Sequence, residues 1–305
     1  MDSYLPRLLD LPAQARIPTL SIRTFYTEIT YFETITEIDS SMPHFDWIET
    51  DLTNGVYQIT LNRPDKLNSF TAEMASELQE AFSEAESNTD IRCVLLTGNG
   101  KAFCAGQDLA EVVENAKNPD YTLGDTVHGS YNPVVKAIRN LEKPVICAIN
   151  GTAAGAGANI AFACDIVVAA DHAKFIQSFA NIGLIPDSGG TFFLPRLVGL
   201  PRATAMAFLD ERITAEKAVE IGLIYKSVPA ENLMEEVLGI CNKLAGMPTR
   251  GFGLTKRGFN AAFANNLDTQ LNLEADLQTE AGRTHDYNEG VQAFLEKRKP
   301  NFKGE

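Results

Sequence analysis

The stretch PVICAINGTAAGAGANIAFACDIVVAADHAKFIQSFANIGLIPDSGGT, from Pro144 to Thr191, decides the fold of this chain. It opens with an apolar run at 145–149 that predicts a strand, continues through a turn of small residues at 151–157, and then alternates apolar runs with glycines. Glycine and alanine leave the backbone of that turn open to close approach, and a helix that begins there presents unpaired N–H groups. The pattern is consistent with a binding site for an oxyanion and equally with tight packing of a helix on a sheet, and it does not distinguish these two interpretations.

Strand-like and helix-like patterns alternate on both sides of this stretch. Residues 57–61 alternate apolar with polar side chains, Thr71 is placed to cap a helix, and 91–97 is a short apolar run that indicates a buried strand. A second glycine-punctuated loop, Gly98 to Leu109, precedes another helical pattern, and the chain is helical from 232 onward. This order predicts an α/β core followed by a helical region.

Composition excludes several classes of function. The formal charge of −14 argues against a nucleic-acid or anionic membrane surface, because phosphates require clustered positive charge. The five cysteines lack C-x-x-C spacing, and the four histidines lack the spacing of metal ligands, so we predict reduced thiols, a cytoplasmic location and no metal site. No apolar run reaches the roughly 18 residues of a membrane span, so no membrane partner is predicted either.

Residues 1–44 differ from the rest of the chain. They contain early prolines and a threonine-rich run without a clear period, and Met42 stands directly before the first domain-like pattern. We interpret this segment as an N-terminal extension that is either disordered or precedes the native start.

The candidate catalytic features are the two glycine loops, at 98–109 and 151–157, and the carboxylate of Asp187. If the loops converge, one N–H group from each can hold the same oxygen atom and stabilise an enolate or a tetrahedral oxyanion. Asp187, in the sequence PDSGG, is either an acid/base or the N-cap of the following helix. Asp108 has the same ambiguity, with a structural cap favoured, and Asp165 is expected to fix the end of a loop.

Four segments in order carry a resemblance to a known family: AFCAGQDL (Ala102 to Leu109), INGTAAGAG (Ile149 to Gly157), CDIVVAADHAKF (Cys164 to Phe175) and GLIPDSGGT (Gly183 to Thr191). The chain resembles the enoyl-CoA hydratase/isomerase, or crotonase, family from about Phe45 to its last residue. The resemblance implies an α/β fold with a crotonase-like spiral of ββα units over 45–240. It also implies a C-terminal helical trimerisation region over 241–305, with assembly into a homotrimer or hexamer.

The resemblance also implies the ligand and the site. The substrate would be an acyl-CoA thioester, and no separate cofactor is expected because coenzyme A enters as part of the substrate. By the family's motifs, the oxyanion hole matches the N–H groups of Gln107 and Ala156, and Asp187 is the acid/base. The positions matched to binding of substrate or coenzyme A are Lys66, Leu67, Lys101, Ala105, Gly106, Asp108, Leu109, Gly157, Phe294 and Lys297. Phe294 and Lys297 would reach the nucleotide of a neighbouring subunit; for the three lysines, solvated surface positions are an equally open interpretation.

Two positions at which this chain departs from the family's pattern limit the reactions that it can catalyse. Where hydratases of this family carry two glutamates, this chain has Asn159 and Phe179, which cannot act as general acid and base. Asp187 remains, and replacement of Asn159 by alanine is expected to leave most activity. Together with YNP (Tyr131 to Pro133) and LDTQLNLE (Leu267 to Glu274), this pattern is most similar to family members that convert ring-1,2-epoxyphenylacetyl-CoA to oxepin-CoA in aerobic phenylacetate degradation. The alternatives are an enoyl-CoA or dienoyl-CoA double-bond isomerase, a hydratase, and a noncatalytic relative that binds acyl-CoA or RNA.

Overall fold

The computed structural model describes residues 44–305, so the interpretation of the N-terminal extension and of Met42 lies outside the described residues. Within this range the strands are β1 (Ile48–Thr53), β2 (Val56–Leu61), β3 (Cys93–Gly98), β4 (Ala102–Cys104), β5 (Val145–Ile149), β6 (Thr152–Ala154), β7 (Ile166–Ala170), β8 (Lys174–Ile176), β9 (Ile213–Thr214) and β10 (Lys226–Val228).

The helices of the same range are α1 (Ala72–Ser87), α2 (Leu109–Asn115), α3 (Leu123–Thr126), α4 (Asn132–Asn140), α5 (Ala156–Ala163), α6 (Gly190–Val198), α7 (Leu200–Leu209), α8 (Ala215–Glu220), α9 (Leu233–Ala245), α10 (Thr249–Ala262), α11 (Leu267–Ala281) and α12 (His285–Glu296). A π-helical turn, Val127–Tyr131, joins α3 to α4. Among the described residues, no helix combines the length and apolar character needed to cross a membrane.

The strands form two mixed sheets, and successive strands of the central part of the chain alternate between them. The larger sheet has the order β1-β2-β3-β5-β7-β10, and the smaller has the order β4-β6-β8-β9. In three successive units, β3-β4, β5-β6 and β7-β8, the first strand joins the larger sheet, the second joins the smaller, and a helix follows. This is the predicted repetition of ββα units. β4 and β6 lie inside the stretches predicted as glycine loops, because three residues are too few to show a strand period.

Local sequence explains the elements that frame the core. The five residues of β5 are all buried, as its apolar run predicts. The Thr71 hydroxyl accepts a hydrogen bond from the Met74 N–H at 3.3 Å, which confirms the predicted cap of α1. Helix α9 packs on the larger sheet through Leu233, Val237 and nearby apolar residues spaced about one turn apart. The predicted boundary at 240/241 falls inside α9, and both that division and the trimerisation role stay predictions.

Asp165 ties the C-terminal helices to the sheet. One carboxylate oxygen accepts from the Val145 N–H at 2.9 Å and from the Lys256 ammonium at 2.8 Å, and the other pairs with the Arg139 guanidinium at 3.0 Å. Lys256 is buried, and its ammonium also donates to the Ile138 carbonyl at 2.7 Å. The hydrogen bond to Val145 confirms the prediction that Asp165 fixes a loop end. Asp165 also pairs the buried ammonium of Lys256, which needs a partner of opposite charge.

Candidate active site

Two short parallel strands bring the glycine loops together. β4 pairs with β6, so the loops that follow them emerge side by side. Gly106 has a φ of +95° and Gly155 a φ of +52°, backbone conformations that residues with a side chain rarely adopt. A Cβ built on Gly155 would lie 3.9 Å from the Gly106 Cα, and one built on Gly106 would lie 3.1 Å from the Ala154 carbonyl oxygen. The predicted convergence of the two loops is confirmed.

Each loop presents an N–H group that the local hydrogen bonds do not use. The Phe70 N–H donates to the Gly106 carbonyl at 2.7 Å, and the Asp108 N–H donates to the Phe70 carbonyl at 2.9 Å. These two hydrogen bonds involve the residues on either side of Gln107 and leave the N–H of Gln107 itself unused. Ala156 is the first residue of α5, where an N–H has no intrahelical acceptor. Two such donors on adjacent loops have the arrangement that a developing oxyanion needs, and their assignment as an oxyanion hole stays a prediction.

Asp187 lies on the turn that leads into α6. Its carboxylate accepts a hydrogen bond from the Ser188 hydroxyl at 2.9 Å. Helix α6 begins at Gly190 with Gly189 as its N-cap, and no side chain of residues 44–305 caps it, so the alternative interpretation of Asp187 as an N-cap is wrong. Burial raises the pKa of the Asp187 carboxyl, and the Ser188 hydrogen bond offsets only part of this rise. A carboxylate with a raised pKa is suited to moving protons near neutral pH.

Asn159 fixes the turn that carries Asp187. It is fully buried on α5, and its amide nitrogen donates to the Asp187 backbone carbonyl at 2.9 Å. Its amide oxygen accepts from the Gln177 side chain at 3.1 Å. A Cβ on Gly190 would overlap the Asn159 amide, so a glycine is needed where α6 approaches. The sequence pattern shows Asn159 only as the replacement of a glutamate, and it holds no signal for this positioning role.

Asp108 is a structural residue at the start of α2. One carboxylate oxygen accepts from the Ala110 N–H at 3.0 Å, which confirms the favoured cap. The other accepts from the Arg63 guanidinium at 3.0 Å and the Ser69 hydroxyl at 3.3 Å. Burial raises the pKa of Asp108, but the Arg63 and Ala110 hydrogen bonds outweigh it and hold the pKa below its ordinary value. The carboxylate is fully engaged, so a contact with substrate through it is not indicated.

The remaining predicted site residues divide into three groups. Lys66, Leu67, Lys101 and Leu109 are exposed beside the loops, and the Leu67 carbonyl accepts from the Ala105 N–H at 3.0 Å. Gly157 is packed instead, since a Cβ on it would lie 2.6 Å from the Cys104 Sγ. Phe294 lies on α12 and Lys297 directly follows that helix; Phe294 lines a groove of about 450 Å³ with Phe302. Their assignment to binding stays a prediction.

Comparison with known proteins identifies the family to which this geometry belongs. Residues 51–305 match the family described as enoyl-CoA hydratase/isomerase. The chain belongs to the enoyl-CoA hydratase/isomerase family. It is 49% identical over 259 residues to the 1,2-epoxyphenylacetyl-CoA isomerase of Escherichia coli K12, which covers 85% of this chain and 99% of that protein. It is 36% identical over 242 residues to the short-chain-enoyl-CoA hydratase of Clostridium acetobutylicum, covering 79% of this chain and 91% of that protein.

Solved structures of the family have the same fold. The crystal structure of the enoyl-CoA hydratase from Bacillus anthracis superposes on this chain with a TM-score of 0.79 at 35% sequence identity. The match covers 85% of this chain and 100% of that one. The predicted α/β crotonase fold is therefore confirmed, with two mixed sheets and C-terminal helices. The protein is an enzyme of the enoyl-CoA hydratase/isomerase family, which acts on CoA thioesters. Because the relatives include an isomerase and a hydratase, the reaction must be argued from the side chains of this site.

Proposed function

We propose that this enzyme converts ring-1,2-epoxyphenylacetyl-CoA to oxepin-CoA in phenylacetate degradation, with Asp187 as the acid/base. The observation that carries the proposal is the state of Asp187: its carboxyl is partly buried, is not used as a helix cap, and has a pKa raised by burial. The 49% identity to an epoxyphenylacetyl-CoA isomerase over nearly the whole of that relative supports the same reaction.

The proposed mechanism needs one oxyanion hole and one movable proton. The thioester oxygen accepts hydrogen bonds from the N–H groups of Gln107 and Ala156. Asp187 removes a proton from the carbon next to the thioester carbonyl, and the electron pair passes onto the thioester oxygen as an enolate. When the enolate collapses, its electron pair forms a double bond between that carbon and the ring, and the ring carbon–carbon bond bridged by the epoxide oxygen breaks. Both carbon–oxygen bonds are kept in the seven-membered ring, and the displaced electron pair takes the proton back from Asp187 at a ring carbon. No atom is gained or lost, so a single carboxyl is sufficient, and preorganised donors stabilise the enolate without reorganising.

The residues at the two positions where hydratases carry glutamate argue against hydration. The Asn159 amide is hydrogen-bonded at its nitrogen to the Asp187 carbonyl and at its oxygen to Gln177. Phe179 is a buried ring next to Gly155, and its side chain holds no proton to exchange. Addition of water to a double bond requires both a base for the water and an acid for the carbon, and these two side chains supply neither.

The test is turnover of three substrates by the purified full chain. Epoxyphenylacetyl-CoA, a 3-enoyl-CoA and a 2-enoyl-CoA are incubated separately, and products are followed by mass and ultraviolet absorbance. We expect a product of unchanged mass and altered absorbance from epoxyphenylacetyl-CoA. Rapid gain of one water by the 2-enoyl-CoA would contradict the proposal.

A double-bond isomerase is the second candidate, because a proton shift between two carbons of an enoyl-CoA also needs one carboxyl. The same Asp187 and the same oxyanion donors serve this reaction. Conversion of the 3-enoyl-CoA with no conversion of the epoxide would favour it.

We also propose that the enzyme assembles as a homotrimer or hexamer through its C-terminal helices. Large apolar side chains are exposed there: Phe259, Phe263, Leu267, Leu271, Val291, Phe294 and Leu295. A concentration of exposed apolar side chains on one part of a chain marks an interaction surface. Light scattering should give a mass of three or six chains, and the mass of a single chain would contradict the assembly. If Phe294 and Lys297 contact the substrate of a neighbouring subunit, the double variant Phe294→Ala/Lys297→Ala should raise the KM for the CoA ester.

A further inference from the structure

Tyr131 carries a buried hydroxyl that has no hydrogen-bond partner in the described part of the chain. Its side chain is 1% exposed, and it ends the π-helical turn Val127–Tyr131 directly before α4. Such turns are uncommon and frequently lie at functional sites. A buried hydroxyl normally finds a partner, so one left open points to a ligand or a water that completes it.

The surroundings of Tyr131 place it beside the glycine loops. Its ring packs edge-on against Phe70, with ring centroids 5.6 Å apart and an interplanar angle of 69°. Phe70 is the residue whose backbone groups bond to Gly106 and Asp108 on either side of Gln107. The ring of Tyr131 therefore supports the loop that carries one of the two proposed oxyanion donors.

The charges around the hydroxyl belong to two carboxyl groups. Burial, and then the nearby charges of Asp187 and Glu111, raise the pKa of Tyr131 above its ordinary value, so the hydroxyl stays protonated and available as a donor. One carboxylate oxygen of Glu111 accepts from the Ala72 N–H at 2.8 Å. The other is buried, with no partner among residues 44–305, and burial raises the pKa of Glu111 as well. Tyr131 therefore has an unpaired hydroxyl with the carboxyl groups of Asp187 and Glu111 near it, and Glu111 has an unpaired buried oxygen of its own.

We propose that the Tyr131 hydroxyl, with Glu111 behind it, forms a polar subsite that hydrogen-bonds an oxygen atom on the acyl group, and so selects oxygen-bearing acyl groups over plain hydrocarbons. The inference rests on the proposed function only in placing the acyl group beside Asp187. A site that hydrogen-bonds a substrate oxygen rejects the analogue that lacks it, because the buried polar group is then left unpaired. A buried water shared by Tyr131 and Glu111 is the competing occupant, and it gives no such selection.

The test is a comparison of two binding affinities in three proteins. Dissociation constants of 2-hydroxyphenylacetyl-CoA and phenylacetyl-CoA are measured by calorimetry for wild type, Tyr131→Phe and Tyr57→Phe. Tyr57 is the matched control, since it is equally buried but its hydroxyl lies near Thr50, Glu80 and Glu84. We expect wild type and Tyr57→Phe to prefer the hydroxylated ester by about 3- to 10-fold, and Tyr131→Phe to lose this preference. An unchanged preference in Tyr131→Phe, or none in wild type, would overturn the inference.

This outcome is separable from the fate of the proposed function, because binding is measured without turnover. A wild-type enzyme that fails to convert epoxyphenylacetyl-CoA, yet loses its preference in Tyr131→Phe, contradicts the function and supports the subsite. Conversion of the epoxide with an unchanged preference in Tyr131→Phe contradicts the subsite alone.

Discussion

The side-chain amide of Asn159 donates a hydrogen bond to the backbone carbonyl of Asp187, 2.9 Å away. The amide oxygen of Asn159 is held in turn by Gln177 at 3.1 Å, and the residue has no exposed surface. Asn159 lies on α5, the helix that begins with Ala156. One short helix therefore positions both a proposed oxyanion donor and the turn of the proposed acid/base.

Asn159→Ala should lower activity by displacing Asp187, which revises the sequence-based expectation that most activity is kept. Loss of the amide frees the turn and leaves the Gln177 side chain unpaired. We expect kcat to fall by about 10- to 100-fold with little change in KM, because small misplacements of a reacting group are costly. Steady-state kinetics checks this. Asn260→Ala on α10, which loses hydrogen bonds to Arg139 on α4, is the matched control and should lower the unfolding temperature without lowering kcat.

Asp187→Asn should abolish isomerisation while leaving CoA-ester binding and folding intact. The amide has the shape of the carboxyl but cannot carry a proton between two carbons. We expect kcat to fall by about 10²- to 10⁴-fold, the range for loss of a general acid/base. Turnover by stopped assay and affinity by calorimetry together check this, and a variant that retains turnover would remove Asp187 from the mechanism.

The raised pKa of Asp187 predicts how rate and stability depend on pH. Because the carboxylate acts as a base, kcat/KM should rise with pH through a pKa above the ordinary value of about 3.9 for aspartate. The contribution of this group to stability is present below its ordinary pKa and lost as pH rises through the raised pKa. Asp187→Asn should therefore be more stable than wild type at neutral pH, and chemical denaturation at pH 7 and in acid checks this. A less stable variant at neutral pH would show that Asp187 is not strained by burial.

Sequence patterns predicted the parts of this fold that depend on neighbours in the chain. The run of β5, the cap by Thr71 and the family's ordered motifs are local, and each was found from residues a few positions apart. The role of Asn159 was not found, because its partner is the backbone of Asp187, 28 positions away, and a backbone carbonyl has no sequence signature. Tyr131 was noticed only as part of a motif, since an unpaired hydroxyl is a property of the packed core.

Gly157→Ala should destabilise the protein through packing. A Cβ at Gly157 would lie 2.6 Å from the Cβ and Sγ of Cys104, so β4 and α5 would have to separate. We expect a loss of about 1–3 kcal/mol in unfolding free energy, as for other overpacked cores. Gly239→Ala on the exposed face of α9 meets nothing within 4 Å and should instead stabilise by about 0.5–1 kcal/mol. Urea denaturation of both variants checks the prediction, and a neutral Gly157→Ala would mean that the two elements can yield.

Asp286→Ala should release the segment 301–305 from α12. The buried Asp286 carboxylate accepts from the N–H groups of Lys303 and Gly304, both at 2.7 Å, and its own N–H donates to the Glu305 carbonyl. Hydrogen bonds to a charged group contribute about 1.5–3 kcal/mol, so the variant should lose stability and faster hydrogen exchange should appear at Lys303 and Gly304. Glu296→Gln breaks an exposed ion pair with Arg298 and should change little, since surface pairs are weak. Unchanged exchange at the two amides in Asp286→Ala would mean that the groove around Phe302, rather than the carboxylate, holds this segment in place.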